Sequence, residues 1–154
     1  MRIIRAESSH IEQIMQVWRG FMEYHQSIDP FYGTVEGGDL KFGEYILERM
    51  GKEDSRVLVA MDGDRLMGYC LCYVQHRPPV FSEVVVGVLS DLAVREENRG
   101  GGVGGALVEA SLAWFHDRSV KRVELRTSAK NDPAIEFYRK HGFRVYDHMM
   151  TREI

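Results

Sequence analysis

Seven consecutive residues, Arg99-Gly100-Gly101-Gly102-Val103-Gly104-Gly105, have the make-up of an anion site. They follow an apolar, strand-like run from Val84 to Val94. They precede a run with apolar residues at Val103, Leu107, Ala110 and Trp114, the spacing of a helix face. A helix opening at this turn leaves several backbone N–H groups without intrahelical partners and points the positive end of its dipole at the loop, so a phosphate can accept from them. Glycines have no Cβ to hold a ligand off and tolerate positive φ, and Arg99 adds a fixed charge.

Three phosphate motifs compete for this loop. The Walker loop requires Lys and then Ser or Thr after its last glycine, whereas Ala106 and Leu107 follow Gly105. Gly100, Gly102 and Gly105 satisfy the dinucleotide pattern G-x-G-x-x-G, and Glu124 lies near the expected ~20 residues on. Context argues against it. Arg95, Glu96, Glu97 and Asn98 separate the strand from Arg99, Glu124 falls inside the next strand, and too little chain follows for further βαβ units. The third reading is a pyrophosphate loop for coenzyme A. Arg99-Gly100-x-Gly102-Val103-Gly104 resembles the acetyl-CoA loop of the GNAT superfamily of N-acyltransferases. Farther on, Asn131, Ala134, Phe137 and Tyr138, then Gly142-Phe143, resemble that family's Asn-x-x-Ala-x-x-x-Tyr…Gly-Phe pattern. The resemblance covers essentially the whole chain, and its specific part runs from about 84 to 146.

Composition narrows the class independently. A chain of 154 residues with 44% hydrophobic content reads as one domain, 1–154, with a sizeable core. No apolar run approaches the ~18 residues of a membrane span, and Met1 to Arg5 has no secretory character, so a soluble cytoplasmic protein is expected. A net charge of −3 and no basic run give no footprint for nucleic acid. Cys70 and Cys72 stand at i and i+2 on a strand-like segment, facing the same way and about 6.6 Å apart, which suits reduced packing thiols. The six histidines form no HExxH or Cys/His ladder, so no metal is expected.

The elements that must position these residues follow from periodicity. Residues 1–6 read as a strand, and Ser8 as the cap of a helix to about Tyr24 with Ile11, Ile14, Met15, Trp18, Phe21 and Met22 on its apolar face. Asp29-Pro30 and Gly37-Gly38 bracket a loop, and Asp39 caps a second helix through about Met50. Strands 56–61 and 66–76 flank the turn Asp62-Gly63-Asp64, and Pro78-Pro79 precedes strand 83–94. Helix 103–117, strand 121–128, helix 133–141 (capped by Asp132, with Pro133 first and Gly142 ending it) and strand 143–152 complete the order. This predicts an α/β mixed sheet with helices on both faces. The resemblance implies a three-layer α/β/α arrangement with four helices around a mostly antiparallel, splayed sheet of six to seven strands.

The resemblance also implies roles. The cofactor is acetyl-CoA, held by backbone at Leu92, Ala93 and Val94, by the loop from Arg99 through Gly100, Gly101, Gly102, Val103, Gly104 and Gly105, and by Asn131, Ala134, Phe137 and Tyr138. Tyr138 matches the residue that protonates the leaving thiolate, and a phenol of pKa ~10 can protonate a thiol of pKa ~8.5 with little change in driving force. Asp91 resembles an acidic position near the acceptor, and Glu83 begins the same strand; either could take the amine's proton, as could water alone. The two share a strand face only if no bulge intervenes, and splaying needs one.

In relatives the first two helices and their loop form the acceptor wall, here with Tyr24, His25, Asp29, Phe31, Tyr32, Glu36 and Asp39. Acids among aromatics suit a cationic amine with an apolar body, and the same residues would equally pack and solvate a loop. The activity implied is N-acetyl transfer to a primary amine of a small molecule or peptide by direct attack. A protein N-terminal or lysine acetyltransferase and a silent acyl-CoA-binding module are the alternatives, and the resemblance leaves a homodimer open.

Overall fold

The computed structural model describes residues 1–154. Its sheet is built from β1 (Arg2–Arg5), β2 (Ser55–Asp62), β3 (Arg65–His76), β4 (Val85–Val94) and β5 (Val123–Leu125), hydrogen-bonded in that order. β1 to β4 pair antiparallel and β4 pairs β5 in parallel. The helices are α1 (Ile11–Ile28), α2 (Gly38–Met50), α3 (Val103–His116) and α4 (Asp132–Lys140).

Alternation along the strands sends side chains to two separate cores. On one face Val57, Val59, Met61, Tyr69, Leu71 and Ala93 meet Ile14 and Val17 of α1 and Ile46 of α2. On the other, Leu58, Ala60, Cys70 and Leu89 meet Val103, Leu107 and Val108 of α3, with Phe137 and Tyr138 of α4 packed against them. The result is the three-layer α/β/α arrangement. α3 lies close enough that a Cβ on Gly87 would stand 2.6 Å from the Phe115 ring.

Several boundaries differ from the sequence reading. Ser8 does not cap α1: residues 8–10 form a 3-10 turn in which the Glu7 N–H donates to His10 Nδ1 at 2.9 Å, and the helix starts at Ile11. α1 continues past Tyr24 to Ile28, which makes His25 helical. Gly37, at φ 69°, precedes α2, and Asp39 lies inside the first turn, paired with Arg19 at 3.3 Å. Asn131 rather than Asp132 caps α4, its Oδ1 accepting from the Ala134 N–H at 3.2 Å. Only Val123–Leu125 of the expected strand 121–128 pairs. Residues 143–152 form no strand, so the sheet has five strands and not six or seven. Strand propensity expresses fit to a pleated, half-buried surface; Val145, Tyr146, Met149 and Met150 find none and stay exposed.

Candidate active site

The open end of the sheet lies between β4 and β5. Gly87, Val88 and Leu89 pair with β5, and the five residues that follow, Ser90 to Val94, have no strand on that side. Just past the end of β4, the Arg95 N–H donates to the carbonyl of Met67 in β3 at 2.8 Å. Strand alternation therefore turns the N–H and C=O of Val94 and Leu92 toward the unpaired edge. The Val94 carbonyl accepts from Arg99 Nε at 3.4 Å, and the other edge groups are donors and acceptors that an extended amide chain can satisfy by β-like pairing. The side chains of Leu92 and Val94 point into the α3-side core, while Ala93 points into the other.

The splay begins at a bulge. Register with β3 runs Leu71↔Asp91 and then Cys72↔Leu89, so Ser90 is an extra residue on β4. Without it, Asp91 would follow Leu89 onto the α3 face. With it, Asp91 sits opposite Leu71 on the face covered by α1 and α2. Burial raises the Asp91 carboxyl above the usual carboxylate range, against a hydrogen bond from Ser90 Oγ to Oδ2 at 2.9 Å and the nearby His25, which both favour the anion. Ser90 and the bulge carry no sequence signature beyond a polar residue in an apolar run.

The glycine loop has the backbone of an anion cradle. Gly100 and Gly102 have φ of 76° and 80°, a region L residues rarely enter, and no protein atom lies within 4 Å of where a Cβ would project from either. The first bond of α3 runs from the Ala106 N–H to the Gly102 carbonyl at 3.0 Å, which leaves the N–H groups of Val103, Gly104 and Gly105 without helical partners. The Val103 side chain is core. Gly101 completes the turn, and Gly104 and Gly105 let α4 approach: their Cβ positions lie 3.3 Å from Phe137 and 3.1 Å from His141. Arg99 reaches over the Tyr24 ring, 5.3 Å to its centroid. Between α1 and the turn leading into this loop runs a cleft of about 390 Å³ whose lining includes Tyr24, Val94, Arg95 and Arg99 together with the acids Glu23, Glu96 and Glu97. The free N–H groups of Val103 to Gly105 fit a diphosphate, and the open edge of β4 fits an extended amide arm.

Tyr138 is held by α4 against the α3-side core. Its ring packs edge-on against Phe143 at 5.7 Å and Phe137 at 5.1 Å. Burial first, then the Cys70 thiol and the Asp91 charge, push the phenol well above its ordinary range, so it keeps its proton at neutral pH. Ala134 accompanies it one turn earlier, where its N–H meets the cap. Asn131 is 3% exposed, and its Oδ1 accepts from Tyr24 Oη at 3.5 Å as well as capping α4. Its visible work is to tie α4 to α1.

The acceptor-wall residues divide. Tyr24 and His25 lie at the C-terminal end of α1; His25 Nδ1 donates to the Phe21 carbonyl at 2.8 Å, which leaves Nε2 as the acceptor in the neutral ring. Tyr32 stacks edge-on to His25 at 5.5 Å. Phe31 is 86% exposed. Asp29 is already engaged, 2.8 Å from Lys130 Nζ, and the Lys130 hydrogen bond holds its carboxyl below the usual range. Sequence reading missed Lys130, because nothing local joins positions 29 and 130.

Glu83 is not brought to this site. It precedes β4 and pairs with Arg122 at 3.6 Å, about 25 Å along the strand from Asp91. Cys70 and Cys72 are free and buried, with Cys70 Sγ 3.1 Å from Ser111 Oγ. No group of three or more His, Cys, Asp and Glu side chains is placed to hold a metal ion, and no helix is long and apolar enough to cross a membrane.

Comparison with known proteins agrees with this geometry. N-alpha-acetyltransferase 30 of Schizosaccharomyces pombe is 34% identical over 89 residues, 57% of each chain, so this chain spans little more than half of that curated relative. A mutant protein from Bacillus halodurans superposes with a TM-score of 0.88 at 25% identity, over 100% of this chain and 99% of that one. A Clostridium acetobutylicum protein, described as a predicted acetyltransferase with acetyl-CoA, shares the fold at a TM-score of 0.77 and 14% identity, over 99% and 95% of the two chains. The family model described as Acetyltransferase (GNAT) family matches residues 15–143, most of the chain. The chain belongs to the GNAT family of acetyltransferases.

Proposed function

We propose that this protein is an N-acetyltransferase that moves the acetyl group of acetyl-CoA to a primary amine by direct attack, with no covalent enzyme intermediate. The observation that carries this reading is the unpaired edge of β4 at Leu92 and Val94, which opens beside the glycine-loop helix start with Asp91 and Tyr138 flanking it. When bound, acetyl-CoA supplies an acetyl thioester. The loop N–H groups from Val103 to Gly105 bind its diphosphate, and the Leu92 and Val94 backbone pairs with its amide arm. The backbone N–H near Val94 polarises the thioester carbonyl.

Asp91 and Tyr138 divide the protons. An alkyl ammonium has a pKa of ~10 and must lose a proton before it can attack. Asp91 Oδ, held by Ser90, takes that proton directly or through a water it orients. Glu83 is kept by Arg122 and leaves the role to Asp91 or to water. Tyr138 Oη donates its proton to the departing sulfur. Burial makes this phenol a weaker acid that stays protonated until the sulfur departs. The amine nitrogen gains the acetyl carbon as the carbon–sulfur bond breaks.

The acceptor is a small-molecule or peptide amine. The yeast relative's name favours a peptide amino terminus, and the engaged state of Asp29 favours no particular cation. Incubation with acetyl-CoA and a panel of amines, read as free thiol and as acetylated amine, tests the proposal. Cofactor binding with no transfer to any amine would instead make the chain a silent acyl-CoA-binding module.

A further inference from the structure

The two halves of the cofactor site, the open edge of β4 and the glycine loop, meet at Arg95. Its backbone belongs to both. The N–H is bonded to Met67 of β3, and the carbonyl accepts from the Asn98 N–H at 2.9 Å, which starts the 3-10 turn Glu96–Asn98 that leads to Gly100. The side chain is bonded to two further groups of the protein. Nε donates to the Leu66 carbonyl of β3 at 2.6 Å, and Nη2 donates to Gln16 Oε1 of α1 at 3.1 Å. Arg95 forms none of the molecule's ion pairs, and its neighbour Glu97 is taken by Arg65.

The partners of Arg95 are themselves fixed. The Leu66 N–H donates to Gln13 Oε1 at 2.8 Å, and Gln13 Nε2 donates to the Asp64 carbonyl at 3.1 Å, so side chains from α1 and from the end of β4 grip both backbone groups of one β3 residue. Gln13 and Gln16, three apart, share a side of α1. One network therefore ties α1, the β2–β3 hairpin and the end of β4 together. Its consequence falls on the gap. A strand end fastened to β3 and α1 is held from leaning toward β5, so the edge at Leu92 and Val94 stays unpaired and the turn into the glycine loop starts from a fixed point. Gln16 and Arg95 both line the cleft between α1 and that turn, and their bond sets the spacing of its walls.

We propose, resting on the acetyltransferase reading above, that Arg95 is a positioning residue for acetyl-CoA, holding the β4 edge and the glycine-loop turn at the spacing that one cofactor must span. Arg95 acts through the backbone it fixes, and the charge at the loop comes from Arg99. Geometry is what arginine supplies here. Its guanidinium offers Nε and Nη2 as donors on one rigid plane, matched to a carbonyl on β3 and an amide oxygen on α1. Lysine has the same charge on a single flexible head, with no donor at the Nε position, and does not reproduce the pair.

The test measures CoA affinity by calorimetry, and steady-state kinetics with acetyl-CoA, for wild type, Arg95→Met, Arg95→Lys and Gln16→Met. Arg95→Met should weaken CoA binding by at least about tenfold, the scale of one lost charge-assisted hydrogen bond, and raise the KM for acetyl-CoA in step. kcat at saturating acetyl-CoA should fall less, because Asp91 and Tyr138 are untouched. Arg95→Lys should bind almost as weakly as Arg95→Met. A guanidinium that touched the diphosphate directly would keep most of its affinity as lysine, and that result overturns the proposal. Gln16→Met leaves the Leu66 bond in place and should weaken CoA by about threefold, with the double variant no weaker than Arg95→Met alone. Losses that multiply overturn the proposal, as does wild-type CoA affinity in Arg95→Met with only Tm lowered, the mark of a purely structural role. Should Arg95→Met fail to fold, wild-type CoA affinity in Gln16→Met overturns it by itself. CoA binding is read without an amine, so a protein that binds CoA and transfers acetyl to nothing sinks the transferase reading and leaves this one standing.

Discussion

Replacing Tyr138 by Phe removes one proton donor and little else. The ring contacts to Phe137 at 5.1 Å and Phe143 at 5.7 Å are ones phenylalanine keeps, so the α4 packing and the melting temperature should hold. General acid catalysis contributes about 10²- to 10⁴-fold. Burial weakens this phenol as an acid, which places the expected loss at the lower end: kcat falls about 10²-fold, or ~2.7 kcal/mol of barrier. The raised phenol also predicts that wild-type kcat holds through pH 10.0, the ordinary tyrosine value, and falls only above it. Steady-state thiol release across pH, with acetyl-CoA affinity measured separately, checks both. A Tyr138→Phe enzyme with wild-type kcat and profile would make Tyr138 a packing residue and refute its role as acid.

Three further outcomes follow from the same geometry. Acetyl-CoA at ~100 times its Kd should stabilise the fold by about 2.7 kcal/mol, a rise in Tm of roughly 5–10 °C for a chain this size, and NAD should give none; the reverse would favour the dinucleotide reading of the glycine loop. Gly102→Val puts a branched side chain at φ 80°, which costs about 1–2 kcal/mol and should both lower Tm and abolish the acetyl-CoA-induced rise; Gly104→Val is a poorer test, because its side chain would press on the Phe137 ring. Asp91→Asn should slow transfer yet raise Tm at neutral pH. The folded-state pKa of Asp91 lies above its reference 3.8, so its contribution to stability is fully present below that pH and lost as pH rises. The Tm difference between variant and wild type should accordingly close on acidification toward pH 3.8, and a variant less stable than wild type at neutral pH would contradict the burial argument.

The backbone of the glycine loop and of α4 was legible because its signals are local. Glycines at positions 100 and 102 stand where the backbone needs positive φ, and Pro133 and Gly142 bracket α4. The surroundings of Asp91 and Asp29 were not, because they are made by register and by distant pairs. Ser90 is one polar residue in an apolar strand, yet as the bulge it moves Asp91 to the opposite face. Asn131 reads as a cofactor residue by resemblance and is, locally, the cap that receives Tyr24 from α1. Asp29 reads as a free acid until Lys130, a hundred residues on, is brought against it. The segment 143–152 reads as a last strand, but a strand needs a neighbour, and β5, only three residues long, stays at the edge of the sheet.

The central claim is that the β4 gap serves transfer and not merely binding. Mixing the purified protein with acetyl-CoA, with and without a primary amine, and following free thiol together with the mass of the amine tests it most directly. The account predicts thiol release that depends on the amine and matches, mole for mole, the acetylated amine formed. Binding of acetyl-CoA with no amine-dependent release across the panel, or release that proceeds equally without amine, would contradict it.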